Sequence, residues 1–176
     1  MLKIAALVLA AASATQTPAL KSSTPWWEKV TVTLTGDGKA QSCNYETSLK
    51  VAASNTCDVS GGAKGFSASS TSSGSKEELT RITFERRFMP GVAAPADTSM
   101  TPGDTLLGKQ VMALAIDGSG AVKACKVIDK GGEMTPEYGC DEAQTEKFEA
   151  MASKTAPAHR MGYMTVLVYG HEEHVA

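Results

Sequence analysis

Beyond its first fourteen residues, this 176-residue chain has no apolar run approaching the length of a membrane-spanning helix. It also lacks a basic stripe. With 17 Lys+Arg against 19 Asp+Glu, its formal charge is −2, so nothing is placed to neutralise a phosphate backbone and no nucleic-acid partner is expected. No Gly-x-Ser-x-Gly elbow and no Ser-x-x-Lys after a strand offers a nucleophile, and the serines clustered at 67–75 are explained by low complexity. The cysteines lack the two-residue spacing of redox or zinc motifs. Gly36-Asp37-Gly38 and Asp117-Gly118-Ser119-Gly120 lack the alternating oxygen ligands and the twelfth-position Glu of a calcium loop. These absences leave no catalytic constellation, and no cofactor or metal is expected.

What is present begins with an address. Lys3, an apolar core over 4–12 and the small residues Ala12-Ser13-Ala14 read as a signal peptide over 1–14. Cleavage after Ala14 would remove one lysine and take the charge to −3. The remaining chain is expected to be exported, soluble and not inserted in a membrane. Four cysteines in an oxidising compartment usually pair.

Those cysteines sit in a repeat. Gly-Asp-Gly-Lys-Ala-Gln-Ser-Cys, ending at Cys43, returns 82 positions later as Gly-Ser-Gly-Ala-Val-Lys-Ala-Cys, ending at Cys125. Cys57 and Cys140 follow after gaps of 14 and 15. At the same offset Val30, Val32 and Leu34 fall on Met112, Leu114 and Ile116, both sets alternating with the period of a half-buried strand. Each set runs into a Gly/Asp cluster suited to a tight turn. A second strand is expected over 40–47 and 121–129. A third carries Ile82 and Phe84 in one copy and Met164 and Val166 in the other. The pattern predicts two duplicated modules, 26–88 and 108–170, which share one sheet or dock as two lobes. Of the three possible connectivities, the repeat favours Cys43–Cys57 and Cys125–Cys140.

The copies differ before the third strand. In the second, Asp141 as N-cap and Gln144 three residues on suggest a capping box, with Phe148, Met151 and Ala152 on one face, Lys154 in the last turn and Pro157 marking the end. In the first, 60–75 is Gly/Ser-rich without helical period, and an irregular loop, extra edge strands or a helix reduced to one turn near Ser75-Lys76-Glu77-Glu78 are the alternatives. Residues 89–107, with prolines at 90, 95 and 102, read as an extended linker. The expected fold class is therefore α+β: hairpin, helix and return strand twice over, with the helix clear only in the second module.

The run Gly108-x-x-Val111 to Ile116, then Asp117-Gly118-Ser119-Gly120-Ala121-Val122, then Cys125 and the glycines at 131–132 resembles a TonB C-terminal-type domain, in its cysteine-bearing exported form. The resemblance covers 108–170 well and 28–88 in part. Thr155-Ala-Pro157 stands where the family has Arg-Phe-x-Pro, a cleavable-looking signal is read in place of the family's anchor, and the sequence shows no long Pro/Lys/Glu run. The resemblance implies a periplasmic binding or adaptor module, not a membrane-anchored energy transducer.

His171-Glu172-Glu173-His174 is not the HExxH motif, its histidines being three apart in a polar tail over 171–176. His159 is the remaining histidine. Of Trp26 and Trp27, one is expected to pack under the sheet and the other to cover an edge. Arg81, Glu85 and Arg87 share one face of the third strand, read as solvated or as an edge guarded by charge, and Arg86 as a polar margin to the apolar side. The leading expectation is a non-enzymatic protein contacting an envelope partner through an exposed strand edge. The alternatives are a metal-assisted enzyme using His159, His171 and His174, and a self-associating structural envelope protein.

Overall fold

The computed structural model describes residues 19–35, 39–50, 79–92, 100–152, 155 and 157–172. Strands β1 (Trp26–Leu34), β2 (Ala40–Thr47), β3 (Leu79–Pro90), β4 (Asp104–Asp117), β5 (Val122–Gly132) and β6 (His159–Glu172) form one antiparallel sheet in the order β2-β1-β3-β6-β4-β5. The only helix among the described residues is the six-residue α1 (Cys140–Thr145). The α+β expectation of two tandem modules is thereby corrected. The return strands β3 and β6 pair with each other along their length, so the halves are welded into one continuous sheet and the secondary structure is almost wholly strand.

The hairpins keep the sequence offset, since Val32 faces Cys43 in one and Leu114 faces Cys125 in the other. The return strands do not. Ile82 faces Val32, whereas Leu114 faces Gly162 rather than Met164. Phe88 explains the need for glycine there: a Cβ on Gly162 would come within 2.3 Å of its ring. Residues 89–90 and 104–107, expected in a linker, belong to β3 and β4. The signal segment 1–14, the turn at 36–38, Cys57, the stretch 60–75 and His174 lie outside the described residues.

One face of the sheet carries the core. Trp26, Phe88, Met112, Leu114, Ile116, Met164 and Val166 are buried there with Phe148 and Ala143. Trp26 stacks on Phe88 at 5.7 Å and Phe88 meets Phe148 at 5.1 Å. The cover is only partly helical. Gly139, not Asp141, is the N-cap, and its amide donates to the Glu142 carboxylate at 2.8 Å. The helix stops before Phe148 because the backbone beyond it finds better partners far away in sequence. The amide of Phe148 donates to the Gly120 carbonyl (2.8 Å) and that of Met151 to Gly118 (3.0 Å). On the other side Leu20 donates to Lys147 and Glu149 to Leu20, each at 2.8 Å. A disulfide between Cys125 and Cys140 ties α1 to β5, closing a 15-residue separation; such a link stabilises a fold by about 3 kcal/mol in the chain-entropy model. Cys43 is also disulfide-bonded.

Gly120 supplies the turn on which this cover rests. Its φ of +85° suits glycine, and a Cβ would sit 1.9 Å from the Phe148 carbonyl oxygen. Asp117 closes the same turn, accepting from the Ser119 hydroxyl (2.7 Å) and the Ser119 and Ala121 amides (2.8 and 3.0 Å). The Ser119 hydroxyl, foremost among these donors, holds the carboxyl well below the usual range.

Arg86 shares the Ile82–Phe84 side as expected, but is enclosed by partners rather than set at that side's margin. It lies on the core face, its side chain only 13% exposed, opposite Glu28 on β1. Its Nε donates to Glu28 at 2.6 Å, and its terminal nitrogens form ion pairs with Glu28 and with Glu146 just past α1. The Tyr138 ring lies 4.7 Å and the Trp26 ring 5.3 Å from the guanidinium carbon. Tyr138 donates to Glu146 (3.0 Å) and Tyr45 to Glu28 (2.9 Å). Burial alone would favour a neutral guanidine; the two carboxylates outweigh it and keep the group charged, its pKa raised above the ordinary value. Burial, with help from Glu146 and against the pull of Arg86, pushes the Tyr138 phenol up.

Removing one partner of a buried charge cluster strands the others. Arg86→Gln is expected to lower the unfolding free energy by about 3 kcal/mol, read by urea denaturation. A loss below about 1 kcal/mol, the scale of exposed ion pairs, would show that ring packing rather than charge holds the cluster. Gly120→Ala should cost at least about 1–3 kcal/mol from backbone strain, and a neutral result would contradict the close approach of Phe148.

Candidate functional site

The second face of the sheet takes the alternate residues, and no described element packs over it. Register places them in four rows. Trp27 faces Arg87, which faces Thr165. Lys29 faces Glu85, then Leu167. Thr31 faces Thr83, then Tyr169. Thr33 faces Arg81, then His171, which faces Asp104 on β4. Much of this ladder lines a groove of about 800 Å³, with Met89, Ser48 and Thr101 at its margins. Its size falls within the range of about 300–1,000 Å³ common for ligand sites.

The floor is polar yet closed to water at several points. Thr83 and Glu85 are each only 7% exposed. The buried Glu85 carboxylate pairs with Arg87 and lies 3.5 Å from the Tyr169 hydroxyl. Lys29 pairs with Glu46 at 2.8 Å. The Thr31 and Thr83 hydroxyls are 3.4 Å apart. Burial first, then the nearby charges of Glu85 and Asp104, pushes the Tyr169 phenol up to about 12, so it presents a donor at neutral pH.

At one end stands a His–Asp pair. Nδ1 of His171 lies 2.8 Å from Oδ1 of Asp104. The other Asp104 oxygen accepts from the Thr101 amide (2.9 Å) and hydroxyl (2.6 Å). Burial would raise the Asp104 pKa, but the bonds from Thr101 and His171 overcome it and hold the carboxyl below its usual value. The turn is tied to β6, since Glu172 donates to the Gly103 carbonyl at 3.1 Å and a Cβ on Gly103 would come within 2.9 Å of the His171 ring. A carboxylate holding Nδ1 orients an imidazole as in hydrolytic dyads, yet no described hydroxyl or thiol hydrogen-bonds to Nε2.

Several sequence expectations are relocated by this geometry. His159 and His171 occupy opposite ends of β6, twelve residues or about 40 Å apart along a strand, so they cannot share an ion. Among the described residues no group of three or more His, Cys, Asp or Glu is placed to hold a metal. Arg81, Glu85 and Arg87 lie on a central strand rather than an edge. Trp26 is buried at 3% and Trp27 is 38% exposed beside the groove. Asp104 was hidden in the Pro-rich stretch; its signal is Thr101-Pro102-Gly103-Asp104, a Pro-Gly turn bracketed by side chains able to cap it.

Linkage fixes two pH effects. The depressed pKa of Asp104 contributes stability present above the ordinary carboxylate value of about 3.9 and lost as pH falls below it. Asp104→Asn should therefore flatten the acid limb of the stability profile below about pH 4, measured by thermal melts; an unchanged limb would refute the assignment. Tyr169, raised to about 12, contributes stability complete below pH 10 and lost as pH rises through 12. Tyr169→Phe should remove that alkaline loss, with tyrosinate absorbance as the companion readout.

Compared with protein-family models, with curated proteins and with solved structures, the chain matches none.

Proposed function

We propose that this chain is an exported, non-catalytic binding protein that holds an extended segment of a partner protein along the groove on the sheet face that no described element covers. The observation that carries this reading is a preformed recessed surface whose charged groups are already oriented by one another: Arg87 by Glu85, Lys29 by Glu46, His171 by Asp104. Such pre-organisation reduces the ordering cost of association. The Cys125–Cys140 disulfide supports export, since such bonds persist in oxidising compartments. The resemblance of 108–170 to TonB C-terminal domains is a further reason to look for an envelope protein as partner.

The groove is favoured over contact at the β5 edge. That edge exposes Lys123, Lys126 and Lys130, and Lys123 and Ile128 are the extra residues of two bulges against β4. Lysines and bulges are devices that discourage strand addition.

Photo-crosslinking in the cell envelope distinguishes the two surfaces. With the reactive residue at Thr31, a single partner identified by peptide mapping is expected; with it at Lys126, the same partner should be absent. Capture from the β5 position alone, or from neither, would sink the groove reading.

A further inference from the structure

We infer that the end of the groove where Arg81 and His171 stand together receives the terminal carboxylate of the bound segment, an inference that rests on the binding reading above. The argument begins with charge. Lys29, Arg87 and Asp104 in the lining are each engaged, by Glu46, by Glu85, and by His171 with Thr101. The exposed Arg81 guanidinium has no ion pair or hydrogen bond among the described residues, although it lines the groove on a central strand opposite His171. A guanidinium with no carboxylate partner among the described residues is complementary to an anion brought from outside, and its fork matches a carboxylate in particular. His171 adds a second contact. Its Nδ1 is fixed on Asp104, and Nε2 has no hydrogen bond among the described residues, so it is the ring nitrogen an occupant would meet.

Length and polarity select a peptide. From Arg81 to Arg87 is six residues of β3, about 20 Å of strand, the span of a hexapeptide in extended form. Between the ends stand the hydroxyls of Thr31, Thr83 and Tyr169, suited to a polar backbone, and at the far end Trp27 and Met89 offer apolar surface. The turn from Thr101 to Asp104, bonded to β6 through Gly103, stands at that end beside His171. A chain terminus fits there, where a side-chain carboxylate would require the backbone to continue into the turn.

The test uses the full chain and two pools of N-acetylated random hexapeptides without Asp, Glu or Cys, one ending in a free carboxylate and the other in a carboxamide. Binding is read from amide chemical shifts. The free-acid pool is expected to shift resonances of 81, 83, 169 and 171 and to bind about tenfold more tightly, the scale of a hydrogen bond to a charged group. Arg81→Gln, at an exposed position, should erase the difference between pools while leaving the melting profile unchanged. Equal binding of both pools at the groove would overturn the carboxylate site and leave the groove reading standing. Shifts from neither pool at the groove, or shifts elsewhere only, would overturn both. A preference for free acid that survives Arg81→Gln would overturn the assignment to Arg81.

Discussion

The structure depends on a single cation held on the side of the sheet that faces the core. Arg86 joins β1 through Glu28, the covering segment through Glu146, and the aromatic layer through Trp26 and Tyr138. Without it those carboxylates would crowd one another beside an apolar layer, a costly arrangement for ions in a poorly solvated site. Because β3 is central, the cluster connects parts of the chain that have no backbone bond to one another. It also orients the sheet: by strand alternation, whichever side takes Arg86 sends Glu85 and Arg87 to the opposite face. The pairing that seals the core and the pairing that shapes the groove are therefore two consequences of the same three consecutive residues.

Core and groove differ in how their polar groups are satisfied. On the core side, charges are met by rings and by carboxylates from distant segments. On the groove side, each row meets its neighbours across adjacent strands, so the order of the floor comes from the ladder itself. This gives a surface ordered by its own cross-strand pairs, with no layer over it among the described residues.

The strands were legible because their signals are local. The alternation of Val30, Val32 and Leu34, and of Met112, Leu114 and Ile116, with turn residues following, gave β1, β4 and their hairpins, and 40–47 coincides with β2. The helix is shorter than expected because Phe148 and Met151 carry a helical spacing, while the backbone of 147–151 is claimed by Leu20, Gly120 and Gly118, contacts no local window contains. Arg86 was misread for the same reason, its partners lying 58 and 60 positions away. The His171–Asp104 pair joins a presumed tail to a presumed linker, and only the pairing of β4 with β6 brings them together.

The strand order carries a consequence for how the chain folds. β6, the last described strand in sequence, occupies the middle of the sheet between β3 and β4. Each hairpin can close early because its loop is short, whereas the seam between the halves waits for a keystone that arrives late, and such long-range closure is slow. Until then two hairpins with unsealed inner borders persist as separate fragments. A chain organised this way acquires its rigidity in one late step.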